Sequence, residues 1–216
     1  MRNKDFDIWM IRVKGHETSE TYAKVCSKTW TDAGFKVNFF DAVTPETVKD
    51  YPQVTWGSRP NEVEKACFLS QYHLWRQCAT TKRPILVLEH DAYLKKPEYI
   101  TYNPHVDITY FGQHCMEAVL FNPSYAEFLC DVMEDNDVNM GPFSMCEHFL
   151  GLSGGKRQKK LSKYARPCLR YLGPDAPVRH AIIPRFGSMI GHGRDGGKVT
   201  SDRLEYEKEL FEIIRA

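Results

Sequence analysis

The chain predicts an α/β fold: a central, mostly parallel sheet with helices on both faces. Three observations carry this. Strand, helix and strand follow one another within the first forty residues, the order of a parallel βαβ unit. A long helical segment then leads through Pro84 into Ile85-Leu86-Val87-Leu88, four consecutive aliphatics that read as a strand buried on both faces. Directly behind them stand Glu89-His90-Asp91, polar groups at the carboxyl end of a strand, where open α/β sheets place their ligands.

The elements follow in order. Ile8 to Val13 is a short strand interrupted in character by Arg12. Ser19 to Ala33 reads as a helix capped by Thr18 or Ser19 and ended by Gly34, the usual residue of a left-handed C-terminal cap. Val37 to Phe40 is the second strand. Thr44 to Pro60 is polar, holds three prolines and reads as an irregular connection. Glu62 to Thr80 is a helix, because Ala66, Leu69, Ser70, His73, Leu74 and Gln77 recur at helical spacing, with Cys67 and Trp75 widening the face. Beyond the Ile85–Leu88 strand, Ile108 to Phe111 and Ala118 to Phe121 read as strands and Ser124 to Met133 as a helix. Asp135 to Pro142 is a loop, Ser144 to Leu150 a helix, Ala181 to Ile183 a short strand, and Asp202 to Ile214 an amphipathic closing helix. No internal repeat or low-complexity linker divides the 216 residues, so a single domain is expected over 1–216.

Bulk properties narrow the function. The hydrophobic share of 42% supports an ordinary core, and the formal charge of +1 gives no global pull toward nucleic acid or membrane. The 7 cysteines are odd in number and form no CxxC pair, which argues against a structural zinc site. Cys67, Cys78, Cys115 and Cys130 sit among apolar residues and read as buried free thiols, as in a reducing compartment. No signal peptide or transmembrane run is visible, and the expectation is a cytoplasmic protein.

Glu89-His90-Asp91 offers two acids and an imidazole, a set able to hold a hard divalent ion that bridges a nucleotide diphosphate. It is equally the composition of a strand end turning polar as it meets solvent. The run Glu64-Lys65-Ala66-Cys67-Phe68-Leu69-Ser70-Gln71-Tyr72-His73-Leu74-Trp75, followed by Ile85-Leu86-Val87-Leu88-Glu89-His90-Asp91-Ala92, resembles glycosyltransferase family 25. That family includes lipopolysaccharide galactosyltransferases and collagen galactosyltransferase domains. Asp41-Ala42-Val43 is similar to the family's Asp-Ala-Val segment, and Ala118 to Ala126 to its strand–turn–helix. The resemblance spans roughly residues 5 to 200 and is specific around 64 to 92. It implies a GT-A-like nucleotide-binding sandwich, a nucleotide-sugar donor such as a UDP-sugar, Mn²⁺ or Mg²⁺, and inversion at the anomeric carbon.

Two departures stand out. The family's Ser-His is Ser70-Gln71 here, and its middle acid is His90, a softer ligand that suits Mn²⁺ better than Mg²⁺. Under the resemblance Asp91 is the main metal ligand, with Glu89 or His90 beside it; Glu89 alternatively reaches the donor's ribose. Glu147, in the place of the family's acid, is the candidate base for the acceptor hydroxyl, or else a helix-start carboxylate. Asp135 and Asp137 are outside choices for that base.

Gly187 to Gly197 is a glycine-rich loop in which His192 completes the metal shell while Arg194 and Lys198 clamp phosphates, or it is a plain surface loop. Lys156, Arg157, Lys159, Lys160, Lys163, Arg166 and Arg170 form a basic run with no acid among them. It reads as a polyanion-binding patch or a solvated face. An anionic glycan and DNA with hydroxymethylated bases, the substrate of a divergent phage DNA-modifying enzyme, are the acceptors it suits. The competing expectation is a non-catalytic nucleic-acid-binding protein on a degenerate transferase fold. His73 and Trp75 are expected in the core. Trp56 is a candidate to stack on a base or sugar, or an exposed loop residue without a role.

Overall fold

A computed structural model describes residues 4–51, 61–111, 118–134, 169–171 and 178–180. Its elements are β1 (Asp7–Arg12), α1 (Glu17–Asp32), β2 (Val37–Asp41), α2 (Glu62–Thr81), β3 (Ile85–Leu88), β4 (Ala92–Leu94), β5 (Ile108–Tyr110), β6 (Ala118–Phe121), α3 (Pro123–Glu134), β7 (Leu169–Tyr171) and β8 (Val178–His180). Short 3-10 turns cover Pro45–Asp50 and Pro97–Tyr99. The first of these gives regular structure to part of the segment expected to be irregular, because Thr44 caps it and Pro45 fixes its first φ.

Six strands form one sheet in the order β2-β1-β3-β6-β5-β7. β1 pairs in parallel with both β2 and β3, β6 runs antiparallel to β3 and β5, and β5 is parallel to β7. Of these six, only β6 therefore opposes the common direction, and the mostly parallel sheet holds. The carboxyl ends of β1, β2 and β3 come out side by side on one edge.

Alternation along the strands divides the core. Ile85 and Val87 of β3 face one cluster with Leu69, Leu74 and Trp75 of α2 and Leu129 of α3. Leu86 and Leu88 face the other, with Ala23, Cys26 and Trp30 of α1. All four β3 side chains are at most 1% exposed, as four unbroken aliphatics predicted. Each such burial stabilises the fold by about 1.5–3 kcal/mol. Helices thus cover both faces of the sheet.

α2 is buried on more than one side, since it lies between the sheet and α3. Tyr72 donates to Glu134 Oε1 at 2.5 Å and Lys82 pairs with Glu127 at 2.8 Å, tying α2 to α3. Trp75 is fully buried, as expected, its ring 5.7 Å from that of Phe121. His73 is half-buried against Tyr51, ring centroids 4.8 Å apart, and burial together with Arg76 holds its pKa below the usual value.

Two expectations need correction. Cys67 is exposed rather than buried, because it lies in the N-terminal part of α2, beside Glu89 and past the end of β3, where the sheet no longer covers it; Cys78 and Cys130 are buried as expected. β4 and β7 were not anticipated, while β8 ends just before the anticipated strand at 181–183, which lies outside the described residues, as do Cys115, the helices at 144–150 and 202–214, and Trp56.

Candidate functional site

The site is built at the carboxyl edge of β1, β2 and β3. β3 ends at Leu88, and Glu89-His90-Asp91-Ala92 then makes a tight turn closed by Ala92 N–H donating to Glu89 O at 3.1 Å. The turn reverses the chain into β4. One edge of β4 pairs with β8, Ala92 opposite His180. Side chains of α1 receive β4 as well. Trp30 Nε1 donates to Ala92 O at 3.0 Å, and Leu94 N–H donates to Thr29 Oγ1 at 2.9 Å. All these groups lie in the interior, where such bonds are seldom left unmade. α1 therefore fixes the strand that leaves the acid-bearing turn.

The three polar residues of the turn point different ways. Asp91 is 3% exposed and close enough to Cys26 of α1 to raise that thiol, which burial already pushes well up. His90 sits edge-on to Tyr22 of α1, ring centroids 6.5 Å apart. Glu89 continues the parity of Ile85 and Val87 and faces α2, where it acts on Cys67. Cys67 is open to solvent beside that carboxylate. Desolvation, then Glu89 and Glu64, push its thiol up to about 11.

The neighbouring strand ends add charge. Arg12 Nε lies 3.0 Å from Asp41 Oδ1 and Lys14 Nζ 3.5 Å from Asp41 Oδ2, with the Arg12 guanidinium 4.7 Å above the Phe39 ring. The Arg12 hydrogen bond holds the Asp41 carboxyl below its ordinary value. The β1–α1 connection is shaped by Gly15 at φ +78°, a conformation that favours glycine. Val13 N–H donates to Ser19 Oγ at 2.9 Å, and His16 Nδ1 accepts from Ser19 N–H to cap α1. Ser70 explains the Asp41-Ala42-Val43 segment. Its hydroxyl accepts from Val43 N–H and donates to Ala66 O, both at 2.9 Å, pinning the end of β2 to α2.

The structure thus brings Glu89, His90 and Asp91 into one turn. Glu147, His192, Arg194 and Lys198 lie outside the described residues, as do Asp135, Asp137, Lys156, Arg157, Lys159, Lys160 and Lys163. Among the described residues no group of three His, Cys, Asp or Glu side chains converges as a metal cage. Glu89 and Asp91 diverge toward α2 and α1, so a hard cation at this turn would take one of the two carboxylates, its remaining ligands being phosphate oxygens and water. Sequence reasoning missed the Trp30–Thr29 support and the Arg12–Lys14–Asp41 cluster. Arg12 was the visible signal for the cluster, a charge placed where a strand should have stayed apolar. No helix in the described residues is long and apolar enough to cross a membrane.

Residues 17–129 match the family described as glycosyltransferase family 25 (LPS biosynthesis protein). Among solved structures, the chain is similar to a glycosyltransferase involved in glycosylation of the major capsid of PBCV-1, at 12% identity and a TM-score of 0.48, covering 95% of this chain and 99% of that one. It is also similar to mouse xyloside xylosyltransferase 1 in its apo form, at 11% identity and a TM-score of 0.38, covering 82% and 97%. At these scores neither fixes a residue correspondence. No curated protein matches the sequence. An α/β sheet covered on both faces, with an acid-bearing turn at the carboxyl end of its central strand, is the GT-A-like architecture that the family resemblance implied. The matched segment runs from α1 through the turn to α3, just over half of the 216 residues, and the protein belongs to glycosyltransferase family 25.

Proposed function

We propose that this glycosyltransferase moves a sugar, with inversion, from a nucleotide-sugar donor to a hydroxyl of an anionic glycan. The observation that carries the donor site is the Glu89–Ala92 turn, set at the carboxyl end of a fully buried central strand and fixed from α1. Asp91, with Glu89 or His90 rotated toward it, would hold Mn²⁺ or Mg²⁺, and His192 would complete the shell. A divalent ion bound there supplies neutralisation of the charge that develops on the departing diphosphate.

The chain's own groups do the rest. Arg194 and Lys198 clamp the phosphates, and Glu89 in its second role orients the ribose. Glu147 accepts the proton of the acceptor hydroxyl as its oxygen attacks the anomeric carbon. The bond from that carbon to the diphosphate oxygen breaks on the opposite face, and the diphosphate leaves with the electron pair. Lys156, Arg157, Lys159, Lys160 and Lys163 bind the anionic acceptor in a salt-dependent way.

Release of nucleoside diphosphate from a panel of UDP-, GDP- and CDP-sugars, with Mn²⁺ and with either an anionic glycan or hydroxymethylated DNA, tests the reading. Transfer to the glycan that is lost in Asp91→Asn is expected. Transfer to DNA alone would move the acceptor to hydroxymethylated bases. DNA binding without turnover of any donor would contradict the enzyme reading and leave a nucleic-acid-binding protein on a transferase fold.

A further inference from the structure

Two of the buried polar atoms between α2 and the sheet find no hydrogen-bond partner among the described residues. One is Gln71 Oε1, on a residue 5% exposed, and the other is Trp9 Nε1. One is an acceptor and the other a donor, so together they present a complementary pair. Unmade hydrogen bonds in an interior are rare enough to call for an explanation.

Their place in the fold supplies one. α2 leads directly into β3 and runs back over it. The contacts along α2 record the register. Cys78 Sγ lies 3.6 Å from Phe121 O, Trp75 packs its ring on Phe121, and Cys67 lies near Glu89. Phe121 is paired with Ile85 at the start of β3, and Glu89 follows its end. Gln71 is one turn from Trp75 and one turn from Cys67, on the same helical stripe. It therefore stands over the middle of the strand, at the level of Val87.

Val87 is the register partner of Trp9 across the sheet, and both face the α2 side. Gln71 and Trp9 thus share one level, immediately below Glu89 and Cys67. Long side chains on a helix lean back toward its N-terminus, which carries the Gln71 amide toward exposed Cys67 and the Glu89 turn. Ser70, the preceding residue, anchors the end of β2 through Val43, so the same turn of α2 borders two strand ends of the site.

We propose that Gln71, with Trp9 beside it, is a specificity-determining floor of the nucleotide-sugar site, the Gln71 carbonyl accepting from an N–H or O–H of the bound nucleotide. This rests on the donor site proposed above. The group that satisfies Gln71 is either a base N–H or a ribose hydroxyl. Rotation about the side-chain torsions of Gln71 presents its carbonyl to the ligand, and Trp9 Nε1 is available to an acceptor on the same group.

The test separates a ligand role from a structural one by sign. Gln71→Leu removes a buried acceptor that has no partner, so its unliganded melting temperature equals or exceeds that of the wild type. Isothermal titration with UDP, 2′-deoxy-UDP, CDP and GDP, each with MnCl₂, then measures affinity. At least a tenfold loss for the nucleotide that the wild type prefers is expected, in Gln71→Leu and again in Gln71→Met, whose unbranched chain fits a helix without the amide. Collapse of the preference for UDP over CDP would identify the base N–H as the partner. Collapse of the preference for UDP over 2′-deoxy-UDP would identify the ribose hydroxyl. Unchanged affinity in both variants overturns the proposal while leaving the donor site intact, as does loss of affinity only in step with melting temperature. A wild type that binds none of the four nucleotides overturns the donor site itself, and this inference with it.

Discussion

Trp30 serves the site from inside the core. Its ring is fully buried, edge-on to Phe35 at 5.7 Å, while its N–H reaches Ala92 O just beyond the acid-bearing turn. Trp30→Phe keeps the ring and removes the donor, leaving a buried carbonyl unmet at a cost of about 1–3 kcal/mol. Melting should fall by several degrees, and nucleotide affinity should fall with it because the turn loses its hold. Leu129→Ala, on the opposite face of the sheet, is the control: it costs about 2–5 kcal/mol without touching the turn. Equal losses of nucleotide affinity in the two variants would refute the positioning role. Cys67 gives a second prediction. Its thiol is accessible but raised to about 11, so the neutral form dominates at neutral pH. The thiolate is about a hundredfold scarcer than at an ordinary thiol, partly offset by greater nucleophilicity, so iodoacetamide should label it about tenfold more slowly at pH 7.5. Labelling should climb with pH up to about 11 and be blocked by bound nucleotide. Peptide mapping by mass spectrometry reads both, and fast labelling at pH 7.5 would contradict the environment described.

Among the elements, α2 carries the most consequence. It starts with a capping box in which Asn61 Oδ1 accepts from Glu64 N–H at 2.9 Å and Glu64 Oε2 accepts from Asn61 N–H at 2.8 Å. Asn61→Ala should cost about 1 kcal/mol, a shift of about 2–4 °C in melting temperature for a chain of this size, measured by calorimetry. No change would mean that packing alone defines this helix start. The extent of α2 was legible in the sequence because its cap, its periodicity and Pro84 are all local signals. β3 was legible because four aliphatics in a row have few other uses. β4 was not. Ala92-Tyr93-Leu94 has no strand pattern of its own, and it is held by Trp30 and Thr29, more than sixty residues away in sequence. The reversal of β6 was equally invisible, since Ala118-Val119-Leu120-Phe121 has the same composition in either direction. Its direction is set by the partner strands β3 and β5.

Across the whole chain, charge is unevenly distributed along the sequence. The net charge is +1, yet residues 156–170 hold seven lysines and arginines and no acid, so the remainder is acidic by difference. Acceptor binding should therefore weaken steeply with salt, while nucleotide binding at the turn should respond less. Titrating each at 50 and 300 mM NaCl checks this, and a shared weak dependence would remove the basic run from acceptor recognition. The candidate site was legible in part. The position of Glu89, His90 and Asp91 at the end of a strand was readable because they follow an unmistakable buried strand. The sequence could not show that their side chains diverge toward α2 and α1, since a tight turn and two helices decide that. The role of Ser70 was hidden for the same reason, because its partner Val43 lies 27 residues earlier.

The donor site at the Glu89–Ala92 turn is the central claim, and a thermal shift with nucleotide and Mn²⁺ tests it most directly. A ligand that binds only the folded state raises melting temperature by mass action. UDP or another nucleoside diphosphate with Mn²⁺ is predicted to stabilise the wild type, and Asp91→Asn, which keeps the shape of the side chain, is predicted to lose that gain. No stabilisation by any nucleotide, or an equal gain in Asp91→Asn, would contradict the site.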